Sequence, residues 1–137
     1  MPQTDRDVLF ANEAFLIGVL QAVTAGAIVA ALAQSDTLIK LGGRFPFLGF
    51  VTPMGLALLA AVLSAYSKHH YKMWDVKAQA SAARSNAAEA ATRSASANFH
   101  LSVMRKSMLF ALAGIFVALL ELLAAMWVRA LCSSCAA

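Results

Sequence analysis

Glu121 is the residue in this sequence whose type and position raise the sharpest chemical question. It is the acidic residue of a long apolar run, residues 108–128. A carboxyl group at membrane depth is costly, so such residues usually face neighbouring helices or water and have a partner or a function. Counted from the outer ends of the apolar runs, Glu121 lies nearest in depth to Thr24 and Thr52, with Gln21 about one turn deeper. Two roles follow: a neutral glutamic acid that hydrogen-bonds across a helix contact, or a polar position on a permeation path.

The histidines are the next residues with ligand chemistry, because imidazole is a common ligand of metals and of haem. His70 and His100 are equally far from Ser85 in the sequence, so a chain turn at Ser85 would bring them to a similar height, close to His69. However, no cluster of Cys, Asp or Glu completes a ligand set nearby. We therefore predict solvated imidazoles at the membrane interface, with no metal and no cofactor. A cofactor held by His70 and His100 is the alternative.

Cys132 and Cys135 form a pair just after the third apolar run. Outside the cytoplasm they could form a local disulfide, and in a reducing compartment they would be free thiols. A thiol redox site is typically placed at a helix N-terminus, whereas this pair follows a helix. No phosphate-binding loop, zinc motif or nucleophile elbow is present in the sequence. We predict no catalytic residues and a protein that is not an enzyme.

The composition places all of these residues in or near lipid. Apolar residues make up 61% of the 137-residue chain and charged residues only 13%, whereas soluble domains average about 25% charged residues. Runs of about 20 apolar residues are long enough to cross the hydrocarbon of a bilayer as helices. We predict an all-α integral membrane protein, a single domain over 1–137, with three transmembrane helices at about 14–33, 47–66 and 108–128.

The long polar interval, residues 67–107, separates the second span from the third. It is rich in Ala and lacks Gly and Pro, which favours a helix. Asn86 followed by Glu89 has the spacing of a helix N-cap with its capping box. We predict a cytoplasmic helical hairpin that turns near Ser85 and extends spans 2 and 3. A loose amphipathic segment on the membrane surface is the alternative.

The distribution of basic residues predicts the orientation of the chain. Eight of the 11 Lys and Arg residues lie at Arg6 or within 67–107, and three lie on the other side, at Lys40, Arg44 and Arg129. Loops rich in Lys and Arg stay on the cytoplasmic side of a membrane. We therefore expect a bacterial inner membrane or an organelle membrane, with the N-terminus and 67–107 on the cytoplasmic or matrix side and the C-terminus opposite.

Small residues recur at helix-contact spacing in the spans. In lipid, helices associate through close backbone approach, which small side chains permit. We predict two packing series: Gly18, Ala22, Gly26 and Ala30 in the first span, and Ala111, Gly114 and Ala118 in the third. The second series continues to Glu121 with the alternating spacing of a left-handed heptad seam. Whether the first series contacts a helix of this chain or of a neighbouring chain stays open.

These patterns favour a non-enzymatic membrane protein that acts by assembly. Three helices bury only part of each other, so we expect self-association or other membrane subunits as partners, beside the lipid bilayer. Nucleic acid is excluded as a partner because the basic residues lie at span ends and lack interleaved stacking aromatics. The alternative is an oligomeric pore or small transport protein with Glu121 on the permeation path. In length and span count the layout resembles that of phage holins, and the resemblance is one of layout only.

Overall fold

The fold consists of four α-helices joined by short connections. The structure is a computed structural model that describes residues 3–134, apart from the side chains of residues 3–7, 9, 41, 42 and 132–134. The helices are α1 (Gln3–Ala33), α2 (Ser35–Gly42), α3 (Arg44–Ala83) and α4 (Ala87–Ser134). Three of them, α1, α3 and α4, contain stretches long and apolar enough to cross a membrane. The all-α prediction with three such helices is therefore confirmed.

The connection between the first two spans, 34–46, contains a short helix. Gly42, Gly43 and Pro46 are residues that interrupt helices, yet α2 occupies 35–42. Gly43 then ends α2: its φ is 87°, and its N–H donates to the carbonyl of Ile39 at 2.8 Å. Pro46 falls in the first turn of α3, where a missing backbone donor is harmless because that N–H has no helical partner. Pro46 and the glycines of this segment thus mark helix ends, not an absence of helix.

The turn between α3 and α4 has two interlocking caps. At the end of α3 the N–H of Asn86 donates to the carbonyl of Ser81 and that of Ser85 to Ala82, the pattern of a Schellman motif. Ser85 takes the left-handed conformation, with φ of 60°. At the start of α4 the N–H of Glu89 donates to Asn86 Oδ1 at 3.2 Å, and Asn86 Nδ2 donates back to Glu89 Oε2 at 3.0 Å. The predicted N-cap at Asn86 is confirmed.

The chain divides into two compact units. The turn unit comprises Met1–Ile17 and Ala60–Leu109, and the cavity unit comprises Gly18–Leu59 and Phe110–Ala137. Within the turn unit, α3 and α4 bury Ala61, Ser64, Ala97 and Met104, and Lys77 Nζ lies 5.0 Å from the centre of the Trp74 ring.

The cavity unit is formed by the C-terminal part of α1, by α2, by the start of α3 and by the C-terminal part of α4. Its most deeply buried side chains are small: Thr24, Ala57, Ala111 and Ala118 are all nearly inaccessible to solvent, whereas Leu20 and Met54 are the larger buried ones among the described residues. Large apolar side chains point outward instead, and Trp127 is 70% exposed. Small groups inside and bulky apolar groups outside are the arrangement expected of a helix bundle solvated by lipid.

Candidate functional site

The predicted small-residue series of α4 lies in a close contact between α3 and α4 within the cavity unit. Ala111 and Ala118 are fully buried. A Cβ atom placed on Gly114 would lie 2.9 Å from the Pro53 carbonyl oxygen and 3.0 Å from the Ala57 Cβ. The two helix backbones approach so closely there that only glycine fits without a shift. We call Ala111, Gly114 and Ala118 the α4 seam.

The predicted series of α1 has a different environment, and we call it the α1 ladder: Gly18, Ala22, Gly26 and Ala30. All four residues are exposed, and a Cβ atom added to Gly18 or to Gly26 would meet nothing within 4 Å. The buried residues of this part of α1 are Leu20, Thr24 and Ala31. At about 100° of rotation per residue, the centres of the ladder and of this buried stripe are about 160° apart. Gly18 and Gly26 of the α1 ladder therefore face away from the buried stripe of α1, whereas Ala30 at the end of the ladder lines a cavity described below.

Glu121 is exposed, although sequence spacing placed it on the same seam as Ala111. By helix geometry Glu121 lies about 80° around α4 from Ala111 but only about 20° from Gly114, one heptad earlier. Its exposure reflects its position along the helix, because every residue of 119–124 is exposed. Its carboxyl group reaches α3, where Oε2 lies 3.3 Å from the position of a Cβ on Gly49.

The neighbourhood of Glu121 includes a helix carbonyl that lacks its usual donor. In α3 the carbonyl of Gly49 would accept from the N–H of the residue four positions later, which is Pro53 and has none. The Glu121 carboxyl group lies against this same residue, Gly49. The Glu121 side chain thus lies against Gly49 of α3, whereas sequence reasoning had sought its neighbours among threonines.

The other predicted polar positions in the spans have separate environments. Thr24 is fully buried, and its hydroxyl donates to the carbonyls of its own helix at Leu20 (2.7 Å) and Gln21 (3.2 Å). Gln21 is half-buried and Thr52 is exposed. The Thr24 hydroxyl therefore forms its hydrogen bonds within α1, and its proton is not directed at Glu121.

The turn unit contains an interhelical hydroxyl pair. The Ser64 and Ser107 hydroxyl oxygens are 2.7 Å apart, and Ser64 also donates to the Met104 carbonyl at 3.1 Å. Farther along, Arg93 reaches from α4 to the Lys77 carbonyl (3.1 Å) and the Ser81 hydroxyl (2.8 Å) while it pairs with Glu89. Residues later in α3 thus contact residues earlier in α4.

Lys68 is the buried cation of the turn unit, only 8% exposed. Its ammonium group donates to the Phe10 carbonyl of α1 at 2.5 Å. Burial lowers the pKa of Lys68 below its ordinary value, the charge of Lys72 lowers it further, and the Glu13 carboxylate opposes both effects. The Oε2 atom of Glu13 is itself buried, with no hydrogen-bond partner in the described part of the chain.

The histidines do meet, as their equal distance from Ser85 predicted. The rings of His70 and His100 stack with their centres 5.2 Å apart, and Tyr66 packs on His70 at 4.3 Å. Among the described residues, no group of three or more His, Cys, Asp or Glu side chains is arranged to hold a metal ion. The pairing of Cys132 and Cys135 lies outside the described side chains.

A cavity in the cavity unit is the feature that sequence reasoning missed. Its volume is about 650 Å³. Its walls are Ala27, Ala30, Ala31, Gln34, Leu38, Pro46, Phe47, Phe50, Leu122, Ala125, Met126 and Arg129. The three alanines near the end of α1 are the signal that could have indicated it, because small side chains opposite aromatic ones leave space.

Comparison of the chain with protein-family models, with curated proteins and with solved structures finds no match.

Proposed function

We propose that this chain is a non-enzymatic integral membrane protein with three spans, which acts by assembly as a homo-oligomer or as a small subunit of a larger membrane complex. The spans are those expected from the sequence, at about 14–33, 47–66 and 108–128. The N-terminus and 67–107 face the cytoplasm or matrix, and the C-terminus lies on the opposite side.

Insertion into a bilayer is supported by the apolar surface of the three long helices. Phe15 is 71% exposed, Leu59 67% and Phe116 62%, one on each helix. Soluble monomers rarely expose large contiguous apolar patches, whereas lipid solvates such side chains as well as a protein core does.

The observation that carries the assembly proposal is the exposure of Glu121. By residue count it lies about 10 Å from the outer end of the third span, within the hydrocarbon. A carboxyl group facing lipid there costs about 3 kcal/mol on insertion scales. A neighbouring chain that covers the open side of Glu121 removes that cost.

The α1 ladder supports the same proposal from another helix. Its glycines leave open space on the face opposite the buried stripe of α1, and small residues at four-residue spacing allow close contact with another membrane helix. In this proposal the helices of 67–107 form the cytoplasmic hairpin, whose exposed tip over 82–88 offers a docking element for further subunits.

The size of the purified chain in mild detergent tests assembly. We expect a species larger than one chain by light scattering, with crosslinks between chains, and a shift toward monomer in Gly26→Leu. Gly55→Leu is the matched control, because Gly55 lies in another span and its Cβ position also meets nothing within 4 Å. A monomer that resists crosslinking at all detergent concentrations would refute the proposal.

A pore or small transport protein is the second candidate, and the exposed carboxyl group of Glu121 favours it. In a ring of chains, an ionisable group at membrane depth would line a water-filled path. Liposomes containing the parent chain should then leak ions or a small dye, and Glu121→Gln should change the rate or selectivity. Leakage at the level of empty liposomes for both chains rules this candidate out.

A further inference from the structure

The cavity described above has a polar end and an apolar end. Gln34 and Arg129 lie at one end, next to Leu38 of α2, and both follow the apolar runs of their helices. The opposite end is reached seven residues deeper on each helix, at Ala27 and Leu122. Seven residues correspond to about 10 Å along a helix. The cavity thus resembles a slot about 10 Å long, partly open along its length, with its hydrogen-bonding groups at one end, which we call its mouth.

The chemistry of the walls limits what can fill this slot. Apart from Gln34 and Arg129, every wall residue is apolar, so burying a charged or strongly hydrated group in the deep part would be costly. A volume of about 650 Å³ is within the range of ligand sites, about 300–1,000 Å³. A hydrocarbon chain fits these walls.

The positive charge of Arg129 at the mouth determines which lipid head group the cavity favours. Arg129 presents a planar guanidinium, which binds phosphate oxygens with two parallel hydrogen bonds. It follows the third span, at the depth where phospholipid head groups lie. Charge complementarity therefore favours an anionic head group over a zwitterionic one, in which a cationic amine accompanies the phosphate.

We propose that the cavity is a binding site for one acyl chain of an anionic phospholipid from the surrounding bilayer, with the phosphate at Arg129 and Gln34 and the acyl chain between Ala27, Phe50 and Leu122. The site rests on insertion of the chain into a membrane, and it is independent of self-association, because all of its walls belong to one chain.

Native mass spectrometry of the full chain in detergent measures this binding directly. The chain is titrated with phosphatidylglycerol or with phosphatidylcholine that has identical acyl chains. We expect phosphatidylglycerol to bind about tenfold more tightly, because both lipids offer a phosphate to Arg129 but only phosphatidylcholine adds a cationic amine that the guanidinium repels. Arg129→Gln should abolish the preference, while Arg44→Gln, which removes an equal charge outside the cavity walls, should preserve it.

Two further variants test the slot itself. Ala27→Phe fills the deep end and should weaken the binding of both lipids by about tenfold or more. Met126→Trp narrows the cavity at an exposed wall residue, so it provides the same test if the first variant folds poorly.

Four results would overturn the inference. The first is equal binding of the two phospholipids to the parent chain. The second is an unchanged preference in Arg129→Gln, and the third is unchanged binding in both filled variants. Tighter binding of a free fatty acid than of phosphatidylglycerol would also contradict the phospholipid assignment. Lipid binding by a chain that stays monomeric would support the site while refuting assembly, so the two proposals fail separately.

Discussion

One added methyl group at Gly114 tests the close contact between α3 and α4. In Gly114→Ala the new Cβ would lie 2.9 Å from the Pro53 carbonyl oxygen and 3.0 Å from the Ala57 Cβ, and the oxygen belongs to rigid backbone. Overpacking of this kind costs about 1–3 kcal/mol. The same substitution gains about 1 kcal/mol from the better helix propensity of alanine. We therefore expect a net loss of about 0–2 kcal/mol of unfolding free energy.

Gly55→Ala separates these two effects. Gly55 is also helical, but its Cβ position meets nothing within 4 Å, so this variant should keep the propensity gain without the overpacking cost. The difference between the two variants then isolates the steric cost, about 1–3 kcal/mol. This steric cost can be measured by unfolding the full chain in mixed micelles with increasing sodium dodecyl sulfate. Far-ultraviolet circular dichroism follows the loss of helix. Equal stability of the two variants would show that the helices do not approach at Gly114.

The turn and the buried polar groups give further predictions. Ser85→Gly should raise stability by about 1 kcal/mol because glycine accepts a positive φ without strain, and Asn86→Ala should lower it by about 1 kcal/mol through loss of the N-cap. In chemical unfolding the opposite signs would contradict the turn geometry. Ser64→Ala should lower the unfolding free energy by about 0.6 kcal/mol, the average for interhelical hydrogen bonds in membranes. Adding Ser107→Ala should lower it no further. Fully additive effects in this double-mutant cycle would contradict the hydroxyl pair. The pKa of Lys68 is lower in the folded chain than its ordinary value of 10.5, so the unfolded chain holds this proton more tightly. Stability should accordingly rise with pH through the alkaline window that ends near 10.5, and a pH titration of Lys68→Met should show a smaller rise.

The parts of the fold that the sequence predicts are those determined by local chemistry. Apolar run length predicted the three long helices, and the Asn86 and Glu89 spacing predicted the start of α4, because capping depends on groups within one turn. The left-handed residue at Ser85 was not predicted, since glycine or asparagine is the usual residue there. Helix α2 was not predicted, because the glycines and the proline beside it are residues that interrupt helices.

The candidate site was less predictable because it depends on which face of each helix packs. Both small-residue series looked alike in sequence, yet the α4 seam is buried and the α1 ladder is exposed. A single helix sequence offers several faces with small residues, and the helices packed against it determine which face is buried. Glu121 has the heptad spacing of the α4 seam but is exposed, because it lies in a stretch of α4, 119–124, whose residues are all exposed. The cavity is formed by α1, α2, α3 and α4 together, so no single run of residues predicted it.

The placement of the two tryptophans of the chain has a practical consequence. Trp74 belongs to the turn unit and Trp127 to the cavity unit, so each unit contains its own intrinsic fluorophore. Replacing either tryptophan with phenylalanine leaves emission from the other unit alone. Identical denaturation midpoints for the two single-tryptophan chains would mean that the units melt together, and separated midpoints would give each unit its own transition.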